Sequence, residues 1–301
     1  MMGRSKFLEI FSALFLVLTK TLLGSLCPTT SDQGNDITQV QEGNFALPFS
    51  QQPIPLVSFS NNLLEQGQVQ FLTLVDDYGI QNGHYVDAIP GLLYGVTDNF
   101  SAFFNIPIAV SYQNDPATAT GLEDISLSLQ YAFYTRNTKE CATQAILMST
   151  FFFPTGSFEK QPPTGTGAMS YLIAGIYAKT CVKWMFSCAA GALLTSEHHR
   201  NRVGYQYFYQ GTVGRNIKSV PGCYILTCMV DIDGRYSTRD KVADIIMPDS
   251  GGNQILVTPS LFFSTKNLLL QFGIGGAIFE HLNGHQNPST YVVVGNIGWT
   301  L

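Results

Sequence analysis

The residues with reactive side chains gather in a few polar stretches. His198 and His199 lie in SEHHRNR, and His281 and His285 lie in EHLNGHQNPS. A metal centre needs three or four converging ligands. Adjacent or four-apart histidines in two separate stretches do not supply them, so neither a metal nor another cofactor is expected. Glu280 and His281 form an acid–base pair in sequence, and such a histidine needs a serine close behind it to activate as a nucleophile. Leu282 and Asn283 stand where a Ser-Asn pair is required, so the chain is not expected to be an enzyme. The aspartates and arginines between 231 and 249 make its most charged stretch, read as a solvated loop able to meet ligands at a mouth.

The elements that carry these stretches alternate with a period of two. Phe100, Ala102, Phe104, Ile106, Ile108 and Val110 share one parity, and Ile125, Leu127, Leu129, Tyr131 and Phe133 share another beyond the polar stretch QNDPATATG. Alternation over this length means strands. One face is hydrocarbon and aromatic while the other is mostly small or polar, as in a transmembrane β-barrel strand. A soluble sandwich or barrel would show a similar hairpin, with the apolar face turned inward.

Composition narrows the choice. Charged residues are 12% against a typical ~25%, while 28 Gly, 14 Tyr and 21 Phe spread apolar surface along the chain. A net charge of -5 leaves no basic stripe to neutralise phosphates, which excludes nucleic acid as a partner. Residues 1–27 read as a signal peptide, with Arg4 and Lys6 ahead of an apolar run too short to span a bilayer. Residues 28–66 lose all periodicity and are rich in Ser, Thr, Asn, Gln and Pro. They are read as a flexible leader, the alternative being a plug folded back into a lumen.

Twelve strands are expected, at 68–75, 85–95, 100–110, 124–134, 142–153, 168–178, 184–195, 203–213, 223–232, 255–263, 268–279 and 291–301. Connectors after the even-numbered strands are mostly short, and those after the odd-numbered ones mostly long. Short turns at one end and long loops at the other mark a membrane barrel, and an even count places both termini on the short-turn side. Tyr205, Tyr207, Tyr209, Tyr291 and Trp299 near strand ends suit membrane interfaces. The reading is an all-β, antiparallel, up-and-down transmembrane barrel over residues 67–301, in the bacterial outer membrane.

In that register Cys141 and Cys181 meet at the short-turn end and are expected to form a disulfide, whereas Cys188 and Cys228 lie inside strands as small packing residues. The inward wall is expected to carry Ser101, Asn105, Ser126, Ser128, Gln130, Gln206, Gln210, Gln271 and Asn296, with Asp124 and Asp231 toward the loops. Phe103, Phe153 and Phe208 interrupt it. This lining is neutral and hydrogen-bonding, without the charged rings of an ion filter. It suits either a channel or an interior filled by side chains.

Particular motifs then point to a family. Gly95-Val96-Thr97-Asp98-Asn99, the run from Gly121 through Asp124 to Tyr131, Phe153-Pro154-Thr155-Gly156 and Gly165-Thr166-Gly167 come in order. Thr258-Pro259 and the spaced glycines from Leu268 to Ile278 follow. The series resembles outer-membrane barrel proteins associated with meta-pathway phenol degradation, often labelled transporters, over about residues 67–301. Such barrels usually end in Phe, and this chain ends in Leu301. The resemblance implies passage of small neutral or apolar solutes and supplies no catalytic residues. Outer-membrane lipid, a small-molecule solute and the barrel-insertion machinery are the implied partners. A non-conducting barrel with binding loops is the second reading, and a lipid hydrolase, short of its Ser-Asn, the third.

Overall fold

The computed structural model describes residues 42–301. The expectations for residues 1–41, namely the signal peptide and the first part of the leader, fall outside the described residues.

Strand β1 (Val69–Ile80) leads by a tight turn into β2 (Gly83–Thr97). Strand β3 runs Phe100–Asn105 and resumes as Ile108–Asn114, and β4 runs Ala117–Leu122 and resumes as Ile125–Asn137. There follow β5 (Cys141–Phe153), β6 (Ser170–Cys181), β7 (Trp184–Thr195), β8 (Gln206–Val220) and β9 (Tyr224–Ser237). The last three are β10 (Gly252–Thr265), β11 (Leu268–Leu282) and β12 (Ser289–Thr300). Sequence neighbours pair antiparallel, and β1 pairs with both β2 and β12, so the sheet closes on itself as a twelve-stranded barrel. The N–H of Leu301 donates to the carbonyl of Val69 at 2.9 Å, which fastens the C-terminus beside the first strand at the short-turn end.

Strand β6 shows why these residues fold this way. Ser170, Leu172, Ala174, Ile176, Ala178 and Thr180 are buried without a break, while Ile173 and Tyr177 between them are exposed. Small and polar side chains line the inside, and apolar ones cover the outside. The other long strands repeat the pattern, exposing Phe104, Tyr131, Leu147, Phe186 and Val213.

Three details differ from the sequence reading. Phe152 rather than Phe153 turns inward, because the even positions of β5 are the buried ones. Cys188 and Cys228 are exposed free thiols on the outer parity of β7 and β9; their size suits packing, but register places them outside. The stretch QNDPATATG is mostly strand, since β3 and β4 stay paired up to Asn114 and Ala117. Both strands break lower down, at Ile106-Pro107 and Glu123-Asp124. Pro107 has no N–H to give to a ladder.

Cys141 and Cys181 are register partners joined by a disulfide. Peptide mapping without reductant should recover them as one linked fragment, while a lipid-soluble maleimide labels Cys188 and Cys228. Alkylation of Cys141 or Cys181 in the native barrel would contradict the arrangement.

Candidate functional site

The interior is the place where unlike elements meet. Residues 42–68 are not a free leader: they run along the inner wall and are bonded to it. The segment begins beside the short turns, where the N–H of Asn44 donates to the carbonyl of Val182 at 2.8 Å and its Nδ2 to that of Cys181 at 2.9 Å. Gly43 has φ +60°, and a Cβ there would lie 1.8 Å from the Val182 carbonyl oxygen, so this approach requires glycine. The segment then passes inward to Leu56, which packs on Val292 and Val294. It returns to the short-turn end, where the N–H of Gln66 donates to Asp98 Oδ1 at 2.9 Å.

Two physical terms hold it there. Leu47, Leu56, Leu63 and Leu64 are buried, each contributing about 1.5–3 kcal/mol by leaving water. The backbone of this irregular stretch cannot enter a ladder, so wall side chains satisfy it. Gln271 Nε2 donates to the Ile54 carbonyl at 2.8 Å, and Gln130 Nε2 to the Ser60 carbonyl at 3.0 Å. Gln210 Oε1 accepts from the Phe59 N–H at 2.7 Å, and Ser101 Oγ from the Leu64 N–H at 3.0 Å. Gln51 Nε2 donates to Thr300 Oγ1 at 2.6 Å. Ring contact between Phe59 and Phe208, 5.2 Å between centroids, adds an apolar anchor.

The ten inner-wall candidates therefore divide. Ser101, Gln130, Gln210 and Gln271 grip the segment. Asn296 supports Gln271 by donating to its Oε1 at 2.9 Å. Asn105 donates to Ser126 at 3.4 Å, and Ser128 bonds Thr150 across the β4–β5 ladder. Asp231 is buried and accepts from Thr212 Oγ1 at 2.6 Å. Gln206 stands apart at the loop end, in a cavity of ≈ 250 Å³ shared with Arg235, Gln254 and Leu282. Asp124 ties down the β5–β6 loop, accepting from the N–H groups of Gly156 and Thr166.

The wall is less neutral than the sequence reading held. Asp76 of β1 is the direct register partner of Asp87 of β2, and an oxygen of each is buried without a hydrogen-bond partner. Tyr112 of β3 is close to both Asp87 and Glu123, and its ring meets Tyr85 edge-on at 5.0 Å. The alternation Gln70, Leu72, Leu74, Asp76, Tyr78 carried this signal, but the expected first strand stopped at residue 75. Glu123 fell just outside the expected fourth strand. Among the described residues, no group of three or more His, Cys, Asp or Glu side chains is arranged to hold a metal.

The charged stretch 231–249 divides between strand and loop. Its loop part forms a ribbon, Lys241–Val242 against Ile245–Ile246, fastened to the β7–β8 loop. Arg200 and Lys241 both pair with Asp244, and hydrogen bonds from Lys241 and then Arg200 hold its carboxyl below the usual carboxylate range. His198 and His199 meet edge-on in the neighbouring loop, and His281 lies opposite Asn253 near the end of β11.

A closed barrel with this outer wall is built for a bilayer, and its fold is that of bacterial outer-membrane barrels. An outer membrane channel from Pseudomonas putida F1 superimposes with a TM-score of 0.68, at 14% identity, over 81% of this chain and all of that one. LpxR from Salmonella typhimurium gives 0.46 at 9% identity, over 77% of this chain and 99% of that one. No curated protein matches the chain. The family described as "Putative MetA-pathway of phenol degradation" matches residues 69–278.

Carboxylates facing a lumen favour cations. The variant Asp76→Asn, Asp87→Asn, Glu123→Gln should lower the cation-over-anion permeability ratio, read from reversal potentials. It should be as stable as the parent or more so, by up to about 1 kcal/mol, because like groups no longer stand opposite one another.

Proposed function

The chain belongs to this MetA-pathway phenol-degradation family, and from that premise we propose that it is an outer-membrane channel for small neutral or apolar solutes. The observation that carries the proposal is the occupied lumen. A segment that touches the inner faces of β1, β3, β4, β5 and β8 to β12 takes up part of the lumen's width. What remains beside it is lined by neutral amides and hydroxyls, with apolar side chains such as Leu74, Val57 and Phe208 between them. Phenol, the compound in the family's description, is small, mostly apolar and uncharged near neutral pH. The inward carboxyls of β1 and β2 disfavour organic anions of the same size. That the similar Pseudomonas protein is a channel supports the same reading.

The occupied lumen also favours one second reading, a barrel that does not conduct and works through its loops. Bilayer conductance separates the two. The mature chain should give small steps, and a variant lacking residues 42–66 should give steps severalfold larger. Liposome swelling should be faster with phenol-sized neutral solutes than with carboxylates of equal size. Silence from both forms, in protein with heat-modifiable gel mobility, would favour the non-conducting barrel.

A further inference from the structure

The charges on the outside of the barrel are sorted by height and by sector, and the channel reading does not use them. Among the described residues all three ion pairs lie in the loops around Lys241 and Asp244. At the opposite rim, on the consecutive strands β4 to β8, Arg136, Lys139, Lys179, Lys183, Arg215 and Lys218 are exposed and have no ion-pair partner. The one carboxylate in that sector is Glu140, in the β4–β5 turn.

Register places several of these cations in rows. Arg136 is opposite Thr143, and Thr143 is opposite Lys179. With neighbouring strands about 4.8 Å apart, the two cations stand about 10 Å from each other with a hydroxyl between them. Lys179 is in turn opposite Phe186, and Arg215 is opposite Trp184. The Arg215 guanidinium lies over the Trp184 ring at 5.3 Å. Arg136 and Lys179 follow the last exposed apolar residues of their strands, Tyr134 and Tyr177, while Arg215 stands between Val213 and Ile217 on β8. The disulfide between Cys141 and Cys181 holds the ends of β5 and β6 together under this row.

We propose that this rim binds the headgroups of anionic phospholipids in the leaflet on the short-turn side. The apolar and aromatic residues set the depth of the acyl chains. The unpaired cations then lie at headgroup height, where they neutralise phosphate with Glu140 as the single protein carboxylate in their sector. Long basic side chains at this position extend along the wall and keep their charge in the headgroup layer. The inference rests on the chain being a membrane barrel and is independent of whether it conducts.

The two tryptophans make the test local. Trp184 sits in the basic sector, and Trp299 sits on β12 opposite Phe71 and Leu268. With Trp299→Phe, Trp184 reports alone, and with Trp184→Phe, Trp299 serves as the control. Each protein is inserted into vesicles of equimolar phosphatidylcholine and phosphatidylglycerol, with bromine on the acyl chains of one lipid or the other. Quenching of Trp184 should show a preference for phosphatidylglycerol of roughly fivefold, the weight of about one juxtamembrane cation. High salt or the variant Arg136→Gln, Lys179→Gln, Lys183→Gln, Arg215→Gln should bring it close to unity. Lys179→Arg with Lys183→Arg should keep it, and Trp299 should show none. Equal quenching of Trp184 by both lipids at low salt would overturn the proposal, as would a preference that survives removal of the charges. Protein that enters neither vesicle would overturn the membrane-barrel premise instead.

Discussion

Closure of the sheet is the constraint on which the rest of the molecule depends. A strand presents N–H and C=O groups on both edges, and in hydrocarbon an unpaired group costs several kcal/mol. The pairing of β1 with both β2 and β12 removes the last free edge. Once the sheet is closed, the period of two leaves each residue only two destinations. Phe71 faces lipid and Gln70 the interior, and a slip of one residue would exchange them throughout the strand.

The interior inherits a problem that the closed wall does not have. Twelve strands enclose more space than short side chains such as Ser101, Ala174 and Thr212 can fill. The segment from residue 42 to residue 68 takes up part of it, bringing leucines and its own backbone. Amide side chains resolve the backbone cost, since a glutamine both donates and accepts within reach of an irregular chain. Gln51 shows this in one residue, donating to Thr300 and accepting from Ser264. The amides that line the lumen are thus the groups that hold the segment, and solute passage and segment retention share one set of side chains.

Charge is distributed around this frame in three ways. Carboxyls meet inside, near the breaks in β3 and β4. Opposite charges neutralise each other in the loops, where Asp244 holds Arg200 and Lys241. Cations stand alone on the outer rim at the short-turn end. The first arrangement acts on what enters the lumen, the second ties loops to each other, and the third faces the surroundings of the barrel.

The sequence by itself determined the strands, their number and the end of the barrel at which the first strand begins and the last one finishes, because alternation and connector length are local properties. The pairing of Cys141 with Cys181 followed from the same register. The inward parity of Ser101, Ser126, Gln130 and Gln271 was equally legible. Only the tertiary structure decided what those residues touch. A segment without periodicity reads as a free leader, since nothing local reveals that Leu56 and Leu64 have hydrophobic partners more than a hundred residues away or on two different strands. Asp76, Asp87 and Glu123 were likewise separate acids in the sequence. Their meeting is set by the β1–β2 register and the break in β4, which are properties of the closed sheet rather than of any one strand.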